Sequence, residues 1–295
     1  MTWIYNGLNA DGGLEIKGVA PIGETDEIFL DGITVLAGPN GSGKTVIRNQ
    51  MKFDDEVSPL NIDFSRATPL QTLEAMRFYP RRPIPEDESK GIYSETEEIE
   101  TAREEIAEYV ERLVGLRVGY NEYTAGLLAS NNVEGNYEYF SLDSLTPGEL
   151  SLSLLNYIVR VNIIDASSVV YIESPEAFLS PEWIVEYARV LVWINKRIGT
   201  RFFVTSHNPD FVSAIRYISE YEGTLDKTRF YYAEKTDGGF AWKEAKEDGD
   251  DPKSIAPLFE IFIKGIEKIA EYSDETHKET RDKGTVKDNC CERRS

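Results

Sequence analysis

The sequence predicts an α/β fold, a mainly parallel sheet flanked by helices, for three reasons. A glycine-rich loop at 38–45 stands between an apolar strand pattern and a helical pattern. Between 147 and 205, helix and strand patterns alternate, as they do in parallel sheets. The 295 residues are 41% hydrophobic, which allows one large core or two smaller ones. An N-terminal antiparallel part and a helical, acidic insertion complete the predicted architecture.

The glycine-rich loop fits the phosphate-binding pattern Gly-x4-Gly-Lys-Ser/Thr at every required position. Its residues are Gly38, Pro39, Asn40, Gly41, Ser42, Gly43, Lys44 and Thr45. The glycines let backbone N–H groups point inward, where they bind phosphate oxygens together with the helix N-terminus. We expect Lys44 to neutralise phosphate charge and the Thr45 hydroxyl to ligate Mg²⁺. The alternative is a glycine turn that matches by chance, but the apolar run before the loop and the helical pattern after it both favour a P-loop.

Four segments follow from the patterns along the chain. Residues 1–53 combine short antiparallel strands at 2–5, 14–19 and 27–30 with the P-loop strand, the P-loop and the first helix, which extends to Met51. The second segment, 54–143, is predicted to be an insertion. The third, 144–272, contains helices at 147–164, 181–198, 208–218 and 252–272, strands at 168–173 and 201–205, and a hairpin at 229–233 and 239–243. The last, 273–295, is polar and predicted to be disordered.

The insertion has three parts. Residues 54–85 show no regular pattern, and their arginines at 77, 81 and 82 surround two aromatic residues. This stretch is compatible with single-stranded nucleic-acid binding, with a solvated loop, or with an internal partner for the acidic segment that follows. Residues 86–111 hold eleven acidic and two basic residues with apolar positions at helical spacing, which predicts an amphipathic helix with an acidic outer face. Residues 118–142 predict a hairpin that turns at Asn131 and Asn132.

Charge and composition exclude several classes of protein. The net charge of −20 opposes general attraction to nucleic acid, so a DNA contact would have to be local. No stretch reaches the roughly 18 to 20 apolar residues that span a bilayer, and the first residues lack a signal-peptide pattern, so we expect a cytoplasmic protein without membrane contact. Cys290 and Cys291 are adjacent and offer too few ligands for a structural zinc.

Three further segments give the chain a resemblance to a known family. Residues 169–181, Val-Val-Tyr-Ile-Glu-Ser-Pro-Glu-Ala-Phe-Leu-Ser-Pro, resemble the Walker B segment of soluble ABC-type ATPases of the RecF, structural-maintenance-of-chromosomes (SMC) and OLD-like group. Residues 144–151, Ser-Leu-Thr-Pro-Gly-Glu-Leu-Ser, are similar to the ABC signature, and residues 202–209, Phe-Phe-Val-Thr-Ser-His-Asn-Pro, are similar to the switch-histidine loop. With the P-loop, four motifs stand in the family's order between residues 27 and 217. The resemblance implies an ABC-ATPase-like P-loop NTPase fold that binds ATP and Mg²⁺.

The resemblance also implies roles for three residues. Glu173 would join Thr45 in the Mg²⁺ shell, and His207 would contact the γ-phosphate; a purely structural histidine is the alternative. Ser174 stands where the family has the carboxylate that activates water, and a hydroxyl has no base strength at neutral pH. A missing base typically costs about 10² to 10⁴ in rate, so we expect slow hydrolysis or none. Gln71 is a candidate for the family's glutamine loop.

The signature segment implies a second copy of the chain. In the family it contacts nucleotide bound to the opposite protomer, which gives a head-to-tail dimer or a higher homo-oligomer. Thr146, Gly148 and Glu149 are therefore candidate nucleotide contacts, whereas Pro147 removes an N–H that could have faced phosphate. A helix cap, with Thr146 as N-cap and Pro147 at the first position, explains the same residues locally, and both interpretations are compatible.

Two classes of function stay open on the sequence. One is an ATP-gated subunit that controls a separate effector protein with little turnover, in phage defence or DNA maintenance. The other is a Mg²⁺-dependent ATPase that turns over actively, as in DNA repair. A transporter ATPase subunit is a third and less favoured hypothesis. Ser174 favours the first.

Overall fold

The computed structural model describes residues 13–14, 28–50, 59–79, 97–124, 126–133, 136–237 and 239–245, with single positions at 255, 259, 263, 267 and 270. The predicted strand at 2–5, the arginines at 81 and 82, most of the helix at 252–272 and the tail from 273 lie outside the described residues.

The described elements alternate along the chain. The strands are β1 (Gly13–Leu14), β2 (Ile28–Phe29), β3 (Ile33–Ala37), β4 (Leu60–Asp63), β5 (Arg117–Asn121), β6 (Gly126–Val133), β7 (Asn136–Phe140), β8 (Val169–Glu173), β9 (Arg201–Ser206), β10 (Thr228–Thr236) and β11 (Gly239–Glu244). The helices are α1 (Lys44–Gln50), α2 (Pro69–Met76), α3 (Glu97–Val114), α4 (Pro147–Arg160), α5 (Pro181–Ile198) and α6 (Pro209–Tyr221).

A six-stranded sheet forms the centre, in the order β11-β10-β3-β9-β8-β4. All neighbouring strands in it are parallel except β10 and β11, which form the predicted hairpin. Every residue of β3 and of β8 is buried, because side chains pack on both faces of the sheet. The larger core cluster includes buried residues of α4, α5 and α6, and the smaller one includes Ile47 of α1 and Ile28 of β2. The predicted α/β fold with a mainly parallel sheet is confirmed.

The stretch predicted to be irregular contains two regular elements. β4 is parallel to β8 and completes the central sheet, so part of the predicted insertion belongs to the core. It was missed because a four-residue edge strand buries only Leu60 and Ile62, a pattern too short to stand out between prolines. α2 follows with a capping box between Thr68 and Gln71, a signal that the sequence does carry.

The predicted hairpin at 118–142 is in fact a three-stranded antiparallel sheet, β5-β6-β7. Asn131 lies inside β6 and pairs with Glu138, so the turn does not fall at Asn131 and Asn132. Leu127 and Ala129, which alternate on the buried face of β6, set the register, and this tertiary constraint outweighs the turn preference of asparagine.

From residue 97 on, the predicted acidic amphipathic helix is confirmed as α3, whereas residues 86–96 lie outside the described residues. Ala102, Ile106 and Val110 are buried along one stripe, while its glutamates are mostly exposed. Arg103 is also buried, and its guanidinium donates hydrogen bonds to the backbone oxygens of Val159 and Ile164 at 3.0 and 2.7 Å. Within the described part of the chain, no helix has the length and apolar character needed to cross a membrane.

Candidate nucleotide-binding site

Three of the four motifs lie at one edge of the central sheet, where parallel strands end side by side. The register pairs Ala37 of β3 with Ser206 of β9, and Thr205 of β9 with Glu173 of β8. The Gly38 N–H donates to Ser206 O at 3.3 Å, and the Ser174 N–H donates to Thr205 O at 2.9 Å. The P-loop, the histidine loop and the Walker B segment therefore leave the sheet as neighbours.

The P-loop has the backbone conformation that its sequence requires. Gly41 and Gly43 adopt φ angles of 82° and 93°, a region that favours glycine. A side chain at Gly38 would place a Cβ 2.8 Å from the Ser42 hydroxyl and 2.9 Å from the Ala233 methyl group. Glycine is therefore needed at all three positions, twice for conformation and once for space.

The Lys44 ammonium is hydrogen-bonded to the first residues of its own loop. Its Nζ donates hydrogen bonds to the backbone oxygens of Gly38 and Pro39 at 2.7 and 3.0 Å. Burial lowers the pKa of this ammonium, while the negative charges of Glu173 and Glu176 oppose that shift. Two carboxylates therefore lie close enough to Lys44 to influence it.

Thr45 and Glu173, the two predicted Mg²⁺ ligands, are in direct contact. Thr45 Oγ1 donates a hydrogen bond to Glu173 Oε1 at 2.8 Å, although the two residues are 128 positions apart in sequence. Glu173 is 6% exposed. A hydroxyl and a carboxylate beside the P-loop fit the oxygen ligands that Mg²⁺ prefers, so the residues present suit a magnesium–nucleotide complex.

Arg48 and Asp63 belong to the same cluster, and the sequence analysis missed both. Arg48 Nη1 lies 3.0 Å from Glu173 Oε2 and forms a second ion pair with Asp63. Burial disfavours ionisation of Asp63, but hydrogen bonds from Ser65 and Arg48 and the Arg48 charge outweigh burial and lower the pKa of Asp63. The sequence did carry one indication for Arg48, because this residue lies one helical turn after Lys44 and therefore on the same side of α1. Asp63 becomes visible only once β4 is placed beside β8.

Ser174 sits at a sharp turn directly after β8. It adopts φ 55° and ψ 56°, a left-handed conformation that non-glycine residues rarely adopt, and it precedes a 3₁₀ turn at Pro175–Phe178. Its side chain does not cap that turn. The hydroxyl therefore stands at the edge of the site without a local structural task among the described residues.

His207 lies on the loop after β9, directly after Ser206, whose carbonyl oxygen accepts from the Gly38 N–H, and its side chain is half exposed. Its main contact is with Glu176, a residue to which the sequence analysis assigned no role. Glu176 Oε1 accepts hydrogen bonds from the Ser206 hydroxyl at 2.9 Å and from the His207 N–H at 3.2 Å, and it lies 3.3 Å from His207 Nδ1. The histidine loop and the Walker B turn are thus joined through one carboxylate oxygen.

The signature segment, residues 144–151, leads into the first turns of α4. Thr146 and Glu149 form a capping box, in which Glu149 Oε2 accepts from the Thr146 N–H at 2.6 Å and from its hydroxyl at 2.8 Å. Gly148 is buried, and a Cβ there would lie 3.0 Å from Phe178 O and 3.1 Å from the Trp183 ring. Among the described residues, no hydrogen bond or ion pair joins this segment to the P-loop of its own chain.

Gln71, the candidate for a glutamine loop, is occupied elsewhere. Its Oε1 accepts a hydrogen bond from the Thr68 N–H at 2.9 Å, which completes the capping box of α2. This contact gives Gln71 a local structural task at the start of the helix.

The P-loop, the Walker B segment and the histidine loop, all predicted from the sequence, thus lie at the ends of neighbouring strands of a mainly parallel α/β sheet. No protein-family model matches the sequence, and no curated protein is significantly similar to it.

Among solved structures, the chain is similar to the SMC head domain from Thermotoga maritima, with 12% identity, a TM-score of 0.44 and coverage of 75% of this chain and 94% of that one. It is also similar to an ATP-binding cassette of an ABC transporter in its ADP conformation, with 15% identity, a TM-score of 0.40 and coverage of 86% and 96%. A dimeric bacterial ABC transporter cassette matches with 14% identity, a TM-score of 0.37 and coverage of 70% and 82%.

Proposed function

We propose that this chain is an ATP-binding, ABC-type subunit that holds MgATP at the P-loop and hydrolyses it slowly or not at all. The observation that carries the proposal is the 2.8 Å hydrogen bond between the Thr45 hydroxyl and Glu173. It brings two oxygen ligands suited to Mg²⁺ to the side of the loop that carries Lys44. The nucleotide phosphates would contact Lys44 and the loop N–H groups.

Weak turnover follows from the residues that surround the metal position. Both carboxylate oxygens of Glu173 are engaged, one by Thr45 and the other by Arg48. Such a carboxylate suits a metal ligand better than a base. Ser174, the next residue, offers only a hydroxyl, and a general base needs a pKa near the working pH. The site is therefore well equipped to bind MgATP and poorly equipped to cleave it.

We also propose that ATP joins two copies of the chain head to tail. Thr146 and Pro147 are exposed at the start of α4, whose 14-residue length gives its N-terminus a partial positive charge. A phosphate bound to the partner copy would compete with the Glu149 carboxylate for the Thr146 N–H and hydroxyl. Closure on nucleotide would then rearrange this cap, which is a signal that another protein can detect.

The resemblance to soluble ABC-type ATPases supports a separate effector protein as the receiver of that signal, in phage defence or DNA maintenance. The net charge of −20 opposes general binding to nucleic acid. If the chain serves such a system, chemistry directed at nucleic acid would come from the effector.

The test is steady-state phosphate release by the purified protein and three variants. We expect wild type to bind ATP with phosphate release close to background. Ser174→Glu supplies the missing carboxylate and should raise the rate by about 10² or more. Ser174→Gln, matched in size but without charge, should stay at background, and Lys44→Ala should bind no ATP.

Rapid wild-type turnover that only Lys44→Ala abolishes would contradict weak hydrolysis. That outcome would support the alternative, an actively turning-over ATPase. Absence of ATP binding in wild type would overturn the proposed function as a whole.

A further inference from the structure

We propose that Glu176 is a positioning residue for the γ-phosphate side of the site, because its carboxylate fixes the ring and the loop of His207. The proposal rests on the proposed function in one respect, the binding of MgATP, and it takes the γ-phosphate contact of His207 from the resemblance to soluble ABC-type ATPases. It adds a residue three positions beyond Glu173 that no motif assigns a task.

Three groups converge on one carboxylate oxygen of Glu176. The Ser206 hydroxyl, the His207 N–H and His207 Nδ1 all lie within 3.3 Å of Glu176 Oε1. The side chain of Glu176 is only 4% exposed, whereas that of His207 is 53% exposed. A buried carboxylate oxygen therefore lies beside one nitrogen of a ring that is itself half exposed.

The Glu176 carboxylate also determines which ring nitrogen of a neutral His207 carries the proton. A neutral imidazole has one N–H and one lone pair. If Nδ1 carried the lone pair, it would face the carboxylate oxygen at 3.3 Å, and the two would repel each other. The proton therefore belongs on Nδ1, as in other sites where a carboxylate orients an imidazole. Nε2 is then the ring nitrogen left to contact phosphate.

Burial of the Glu176 carboxylate is energetically unfavourable. Its Oε2 is buried without a hydrogen-bond partner among the described residues, and the same is true of the Tyr187 hydroxyl. Burial raises the pKa of Tyr187, and the charge of Glu176 raises it further. A carboxylate buried at such cost is expected where its charge has a task, here beside Lys44 and His207.

The first test needs no nucleotide. The chain has only two histidines, so ¹⁵N-labelled imidazoles give two sets of NMR signals, and His207→Gln identifies those of residue 207. We expect Nδ1 to carry the proton of the neutral His207 ring in wild type. Glu176→Gln keeps an acceptor oxygen and should preserve this tautomer, whereas Glu176→Ala should lose it. A proton on Nε2 in wild type, or an unchanged tautomer in Glu176→Ala, would overturn the proposal.

The second test measures the ratio of ATP to ADP affinity by calorimetry. Glu176→Ala should reduce this ratio by about tenfold, the effect of losing one hydrogen bond to a charged group, with ADP affinity nearly unchanged. Glu176→Gln should keep most of the ratio. Glu138→Ala, an exposed glutamate on β7, is the matched control and should behave like wild type.

The double variant Glu176→Ala/His207→Ala separates positioning from independent binding. If Glu176 acts through His207, the double variant loses no more of the ratio than His207→Ala alone. Additive losses, or equal losses in Glu176→Gln and Glu176→Ala, would contradict the proposal. If wild type binds neither nucleotide, the proposed function fails, and the tautomer still decides the role of Glu176.

Discussion

Glu173 shows how single residues decide what this site can do. Its two oxygens meet a hydroxyl and a guanidinium, and the next residue, Ser174, has no charge to offer. Arg48 in turn connects Glu173 to Asp63 at the end of the neighbouring strand. A substitution in this group therefore acts on the metal position even when the changed residue does not touch it.

Asp63 gives a prediction about pH at this scale. Its pKa is lowered in the folded protein, so its contribution to stability is complete above about pH 4, the ordinary carboxyl value, and is lost as the pH falls through the lower folded pKa. Asp63→Asn should cost about 2 kcal/mol in the free energy of unfolding at pH 7. Urea unfolding of both proteins at several pH values measures this difference, which should shrink below about pH 4. An equal deficit at pH 7 and at pH 3 would contradict the role of the ionised carboxylate.

The sequence predicted the residues that belong to motifs and missed those that do not. The P-loop, Glu173, Ser174 and His207 follow from local patterns, and the structure places them at one edge of the sheet. Arg48 and Glu176 bond to residues 125 and 30 positions away, and Asp63 reaches the site because β4 pairs in register with β8. Local patterns carry no information about such contacts.

Among the elements, the signature helix and the Walker B turn are coupled by packing. A Cβ at Gly148 of α4 would be tight against Phe178 O and the Trp183 ring, and Phe178 ends the turn that carries Glu176. The start of α4 and the turn that carries Glu176 are therefore in direct packing contact.

Gly148→Ala tests that contact. Alanine favours helices by up to about 1 kcal/mol over glycine, but overpacking against a backbone oxygen costs about 1 to 3 kcal/mol, so we expect a net loss of stability. Thermal unfolding should show a lower Tm than wild type. Gly119→Ala on β5 is the control, because a Cβ there meets nothing within 4 Å. A Tm at or above that of wild type in Gly148→Ala would refute the close contact.

Elements with strong local sequence signals were predicted accurately, and elements that depend on strand pairing were not. The bounds of α5 were predicted correctly because Ser180 caps its start, Pro181 takes the first position and Gly199 ends it at φ 88°. β4 was missed because its identity depends on pairing with β8. The turn at Asn131 was wrong because the ladder of β6 and β7 continues through it.

At the scale of the whole molecule, we expect a change of assembly with nucleotide. Mass measurement by light scattering should give the 33.4 kDa of one chain without nucleotide and twice that mass with ATP and Mg²⁺. Lys44→Ala should stay at the mass of one chain in both conditions. A single-chain mass for wild type with ATP and Mg²⁺ would contradict the head-to-tail dimer.

Binding of MgATP with little hydrolysis is tested most directly by the identity of the nucleotide that the protein retains. The protein is incubated for hours with MgATP, freed of unbound nucleotide by gel filtration, denatured, and its nucleotide separated by ion-exchange chromatography. A site that binds MgATP and lacks a base at Ser174 should retain mainly ATP, at close to one molecule for each chain, and Ser174→Glu should retain mainly ADP. Wild type that retains ADP, or no nucleotide, would contradict the account.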